Sequence, residues 1–131
     1  MRSLPLLLFI AGLLLAAGGS RYASAQAQPD AMAKDGTTIY PGLDVNVIDG
    51  NGWARLHLAF EVLCVDQDSA QKVASPTARE AINLFFRDKT VADVLSPKGK
   101  RKLKQELTAA INKAVGGPRA AVIYFTQFVI L

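Results

Sequence analysis

The ten residues Val122-Ile123-Tyr124-Phe125-Thr126-Gln127-Phe128-Val129-Ile130-Leu131 constrain this chain more than any other stretch. They carry no charge and are mostly β-branched, aromatic or aliphatic, the composition of a strand. A chain end frays unless something ties it down, and this one is too apolar to be left in water. It is therefore expected as an inner strand of a sheet, with Phe125 and Phe128 on opposite faces because they are three residues apart. The rest of the chain must supply strands beside it and helices to cover it.

Two earlier segments supply the strands. Leu43-Asp44-Val45-Asn46-Val47-Ile48 alternates apolar and polar residues, as a strand with one buried face does. Asp49-Gly50-Asn51-Gly52 follows with residues suited to positive φ, so a hairpin turn is expected there. Ala54 to Val65 then puts Leu56, Leu58, Phe60, Val62 and Cys64 on one face and His57, Ala59 and Glu61 on the other. A slip of one residue exposes the whole apolar set, so the register is well specified. Trp53 opens this strand, where half-burial suits its ring.

The helices announce themselves by their caps. Ser75-Pro76 reads as an N-cap with Pro in the first turn, followed by an apolar face of Ala78, Ala81, Ile82 and Phe85 flanked by Leu84 and Phe86. Thr90 with Asp93 is a capping-box start for a short turn through Leu95. Ser96 before Pro97 caps the last helix, whose stripe is Leu103, Leu107, Ala110, Ile111 and Ala114. Gly116-Gly117-Pro118 stops it. Gln26 to Gly42 has no periodicity and reads as a tether ending at Tyr40-Pro41-Gly42. The fold expected is one α+β domain over 43–131: a small sheet, made of an N-terminal hairpin and the C-terminal strand, with two to three helices packed on it.

The first 25 residues are of another kind. Arg2 is followed by fourteen uncharged residues, Leu4 to Ala17, and then by Ala23-Ser24-Ala25. A positive start, an apolar run and an Ala-x-Ala end are the parts of a secretory signal, with cleavage before Gln26. An uncleaved anchor needs about 20 apolar residues to span a bilayer, and this run reaches that only if Gly18, Gly19 and Ser20 extend it. Both readings place residues 26–131 outside the cytoplasm.

Charge and composition exclude several classes of function. Taking Arg2 and Arg21 from the fifteen Lys and Arg leaves thirteen against eleven acids, a net of +2. That is too balanced for nucleic acid. Cys64 is the one cysteine, so it forms no internal disulfide. His57 is the one histidine, and its odd spacing from Cys64 puts the two on opposite strand faces. Acid pairs such as Asp66 with Asp68, or Asp44 with Asp49, fall at strand ends and turns, where solvated carboxylates are usual. Gly50 and Gly52 open no helix and make no phosphate loop. No catalytic residue, metal site, cofactor or small-molecule substrate is expected.

One cluster stands out. Lys98, Lys100, Arg101, Lys102 and Lys104 put five cations into seven residues at the start of the last helix. The positive end of the helix dipole disfavours cations there by about 0.3–1 kcal/mol. Either they are a solvated helix start, or they meet an anionic partner, protein or lipid headgroup.

The ordered series Arg79-Glu80-Ala81-Ile82, Asp88 to Leu95, Ser96-Pro97-Lys98-Gly99-Lys100, Leu103, Glu106-Leu107, Ile111-Asn112 and Tyr124 to Ile130 resembles the flagellar basal-body-associated FliL family. Lys98 stands where that family usually has an acid, Gln127 where an acid is common, and Leu131 where Gln is common. The resemblance implies a periplasmic domain similar to stomatin-type (SPFH) domains, usually held by a single inner-membrane span. It implies association with flagellar stator proteins and homo-oligomerisation around them, in support of rotation, motility and chemotaxis, without catalysis. The absence of a basic leader before the apolar run leaves a second reading open: an exported SPFH-like scaffold or envelope adaptor with no flagellar role.

Overall fold

The computed structural model describes residues 31–131. The expected signal or anchor over 1–25, with Ala23, Ala25 and Gln26 at its cleavage point, lies outside the described residues, as does the first part of the expected tether. The chain runs β1 (Met32–Lys34), β2 (Thr37–Asp49), β3 (Gly52–Cys64), α1 (Gln67–Val73), α2 (Pro76–Arg87), α3 (Val91–Leu95), α4 (Pro97–Val115) and β4 (Ala120–Ile130). The four strands form one antiparallel sheet in the order β1-β2-β3-β4, with the helices packed on one face. This is the α+β class expected, with one strand and at least one helix more than the sequence suggested.

The extra strand lies where a tether was expected. Asp35 and Gly36 both have positive φ, 52° and 77°, and join β1 to β2 by a two-residue loop. Asp-Gly in such a loop matches the right-handed twist of the strands beside it. Nor does Tyr40-Pro41-Gly42 end a loop. β2 runs through it, and the register shifts between Tyr40 and Leu43. A bulge is one of the few sheet positions where Pro, lacking a donor, costs no ladder bond. At the other hairpin, Asp49 pairs with Gly52 across Gly50-Asn51, with φ of 58° at Gly50.

β3 is the axis of the sheet. Leu56, Leu58, Phe60 and Val62 are fully buried beneath the helices, as their period-two spacing predicts. Burying each such side chain stabilises by about 1.5–3 kcal/mol. Trp53, by contrast, is 62% exposed rather than half-buried, because it stands beside the hairpin turn on the face without helices.

β4 departs from expectation twice. Among the described residues it is an edge strand, paired to β3 alone, because hydrophobicity sets whether a strand is covered and not how many neighbours it has. Its two phenylalanines also share a face. Ala59 pairs with Gln127 and Phe60 with Phe125, so Thr126 is an extra residue and reverses the alternation. Phe125 and Phe128 both turn toward the helices, their rings 5.0 Å apart and edge to face. Tyr40 stacks on Phe60 at 4.8 Å and Phe60 meets Phe125 at 6.0 Å, so aromatic rings cross the sheet from β2 to the edge.

The caps read from sequence fix where the helices sit. Ser75 accepts from Ala78 N, and α1 and α2 are separate helices meeting there. Thr90 and Asp93 form a full capping box on α3. Ser96 accepts from Gly99 N at 2.9 Å, and Gly116 closes α4 with φ of 78°. The buried line of α2 is Ala78, Ile82 and Phe86, a step round from the expected face, with Phe85 half-buried and Leu84 exposed. Two buried hydroxyls tie α1 to β2: Thr38 donates to Ala70 O and Tyr40 to Val73 O, both at 2.6 Å. Burial pushes the Tyr40 phenol up to about 12. Asn112 fastens α4 to the start of β4. Its Oδ1 accepts from Arg119 N and Ala120 N, and its Nδ2 donates to Ala120 O.

Candidate protein-interaction surface

The basic run sits on the first two turns of α4, which contain no acid to offset it in the first turn. Gly99 lets this end approach α3 closely. A Cβ there meets the carbonyl oxygen of Asp93, and lies 2.6 Å from Ser96 Oγ. The capping box in turn lowers the Asp93 carboxyl below its ordinary value, chiefly through the Thr90 N–H, with Lys89 and Lys102 adding to it.

The structure divides the five cations. Lys98, Arg101 and Lys102 are exposed, and Lys102 feels the Asp93 carboxylate. Lys100 and Lys104 are half-buried and lie over β4, with Nζ of Lys100 4.9 Å from the centre of the Phe128 ring and Nζ of Lys104 5.9 Å from that of Phe125. Lys100, Arg101 and Lys104 form one wall of a cavity of ≈ 300 Å³, whose floor is Phe125 and Phe128. A second cavity of ≈ 360 Å³ continues along the seam from Lys104 to Thr108, against Ala121 to Ile123. None of the three wall cations has an ion-pair partner among the described residues. Glu106, the acid nearest in sequence, is taken by Lys89 at 3.3 Å. An ammonium over a phenyl face gains about 0.5–1 kcal/mol when exposed, so the lysines are held loosely and can be drawn away by a carboxylate.

The phenylalanines of this groove were not marked by sequence reasoning. No residue of β4 signals the bulge at Thr126, and without it Phe125 and Phe128 fall on opposite faces.

The other candidate chemistry comes apart. His57 lies on the helix-free face, its Nδ1 2.6 Å from Asp44 Oδ1 and its Nε2 3.2 Å from Gln127 Oε1. The hydrogen bond to Asp44 raises its pKa above 6.5. Cys64 lies on the opposite face beside Thr38, and burial pushes its thiol up, away from the reactive thiolate. Asp66 caps α1 by accepting from Ser69 N, and hydrogen bonding from the Ser69 side chain and then its N–H lowers the carboxyl below its ordinary value. Asp68 pairs with Lys72 and Arg119. A polar groove of ≈ 380 Å³ between β2 and α2 is lined by Asp44, Glu80, Asn83 and Arg87, with no Ser, Thr, Cys, Lys or Tyr. Among the described residues no group of three or more His, Cys, Asp and Glu side chains is gathered as a metal ion requires. No described helix is long and apolar enough to cross a membrane.

Comparison with known proteins adds an independent finding. Residues 39–130 match the model of the family described as flagellar basal body-associated protein FliL. The matched span runs from β2 to the last residue of β4. A flagellar protein FliL from Aquifex aeolicus (strain VF5) is 32% identical over 94 residues, which make up 69% of this chain and 57% of that protein. The chain thus spans a little over half the length of the relative.

Proposed function

Because the chain belongs to the flagellar basal body-associated FliL family, we propose that it is a non-enzymatic accessory of the flagellar motor. In this reading the domain stands on the periplasmic side of the inner membrane, associates with stator units, assembles with further copies of itself, and supports rotation. The observation that carries it is the family match over residues 39–130, which takes in nearly the whole folded unit and the basic end of α4. The basic end supplies the contact. Three cations without acidic partners among the described residues, crowded with Lys98 and Lys102 onto two helical turns, are better accounted for by an acidic surface on the motor than by the fold.

The test replaces Lys100, Arg101 and Lys104 together with Gln. Arg101 is exposed, whereas Lys100 and Lys104 give up their contacts with Phe128 and Phe125, at about 0.5–1 kcal/mol each, so the domain is expected to stay folded with a slightly lowered melting temperature. Motility in soft agar and recovery of stator proteins from membranes are expected to fall, and wild-type recovery to weaken between low and moderate salt, as exposed attractions do. Unchanged motility and recovery reject the basic end as the contact and leave family membership standing. Deletion of the gene without any motility defect points instead to a scaffold role outside the flagellum.

A further inference from the structure

We propose that the free edge of β4 and the basic wall of α4 together form a site for an extended acidic segment of a partner protein, which adds to the sheet as a fifth strand. The inference rests on the preceding reading that the basic end contacts an acidic partner, and it specifies that partner's local structure.

Two observations made on different elements lead to it. The first is the edge itself. β4 pairs with β3 on one side, and along its eleven residues, AAVIYFTQFVI, there is no charge and no proline. Strands left at a sheet edge are normally blunted by such residues, since their unpaired N–H and C=O groups are a template for another strand. β1, at the opposite edge, has three residues and is itself short enough to be protected. The second observation is the charge beside the edge. The seam between α4 and β4 is lined by Lys100, Arg101 and Lys104, which lack acidic partners among the described residues.

The two sides of the edge dictate what the added strand must look like. Its side chains alternate between the helix side and the open side of the sheet. On the helix side they meet ammonium and guanidinium groups. On the open side they meet Tyr124 and Val129, each 50% exposed. The occupant is therefore a segment that alternates acidic and apolar residues. On binding, the lysines leave the Phe125 and Phe128 rings for the incoming carboxylates. A second copy of β4 fits less well: it brings no acid to the cations, and edge-to-edge pairing of two chains sets their basic helix ends against each other.

The test uses the full chain and three synthetic peptides as long as β4: one alternating Glu and Val, one with the same number of Glu but Pro at both odd and even positions, so that donors facing β4 are lost in either strand direction, and one alternating Lys and Val. Affinity is read by titration and strand addition by hydrogen exchange of the β4 amides. The Glu–Val peptide is expected to bind and to slow exchange along β4. Proline removes the donors and the Gln triple variant removes the ion pairs, and each is expected to weaken binding by about tenfold or more. The Lys–Val peptide is expected not to bind. Equal binding of the Glu–Val and Pro peptides, without protection of β4, overturns strand addition but leaves the acidic contact standing. If the wild type ignores the Glu–Val peptide while the triple variant self-associates through β4, the cations merely guard the edge and the proposal falls. Binding to phosphatidylglycerol vesicles with no affinity for the peptide assigns the cations to lipid and also overturns it. Failure of the broader reading is separate: it requires unchanged stator recovery and motility in the triple variant.

Discussion

β3 and β4 lie side by side, are both long and mostly apolar, and have opposite fates. β3 is hydrogen-bonded on both sides, and its helix-facing Leu56, Leu58, Phe60 and Val62 are fully buried. β4 is bonded on one side, its two phenylalanines are half-buried, and Val122, Tyr124 and Val129 are 42–50% exposed. The same kind of sequence thus serves as the frame in one strand and as a surface in the other. What separates them is position in the sheet. Stability is concentrated at β3, and the unspent hydrogen-bonding and apolar capacity at β4 is left for association.

The sharpest way to break this contrast is to remove one ring from each strand. Phe60→Ala leaves a cavity under the helices and is expected to cost about 3–5 kcal/mol, a large part of the 5–15 kcal/mol that holds a domain together. Phe128→Ala removes a half-buried ring over which Lys100 sits, and about 1–2 kcal/mol is expected from the smaller area it covers. Denaturant melts of the two variants check the ordering. Equal losses mean that β4 is as much a part of the core as β3.

The next effect is expected where α4 meets α3. Gly99→Ala drives a methyl group into the Asp93 carbonyl, which is backbone and cannot rotate away. Overpacking of this kind costs about 1–3 kcal/mol. Because Gly99 also sets where the basic end lies over β4, the variant is expected to weaken partner recovery as well as the melt. A variant that melts normally shows that α3 yields, and that the position of the groove is not fixed by this contact.

A smaller effect ties the two strands on the open face. His57 of β3 reaches back to Asp44 of β2 and forward to Gln127 of β4. Its pKa is raised in the folded state, so the protonated form is favoured by folding. That contribution is complete below the unfolded value of 6.5 and is lost as pH rises through the higher folded value. The gap in melting temperature between wild type and Asp44→Asn is therefore expected to narrow as pH rises above about 6.5. A constant gap means that the ring is held by geometry alone.

Much of this was legible in the sequence, for local reasons. β3 was legible because period two over a dozen residues admits one buried face, and Ser75, Thr90, Asp93, Ser96 and Gly116 because each cap bonds within one turn. What escaped depends on bonds between distant residues. β1 has three residues, too few for any period, although Asp35-Gly36 was a sufficient hairpin signal. The bulges at Pro41-Gly42 and Thr126 lie on either side of Ala59, and only the pairing reveals them. The run of cations was plain, but its phenyl floor comes from a strand twenty residues later whose facing the bulge reverses. β4 also carries none of the charges or prolines that usually mark an edge strand, so its edge position could not be read from composition.

The smallest effect sharpens the contrast by splitting the cations themselves. Lys98 is exposed in the first turn of α4 and does not line the groove, whereas Lys100, Arg101 and Lys104 do. At the first turn an acid interacts favourably with the helix dipole and a cation unfavourably, so Lys98→Glu is expected to stabilise the domain by about 0.3–1 kcal/mol. If binding belongs to the seam beside β4, this charge reversal leaves partner recovery close to wild type, while neutralising the three wall cations lowers it. If the whole basic end acts as a diffuse patch, reversing one charge changes the net charge by two and lowers recovery nearly as much as neutralising two groove cations. Parallel melts and membrane pull-downs of the two variants separate the cases. Recovery that tracks net charge rather than position removes the groove, and with it the distinction drawn between the paired strand and the free one.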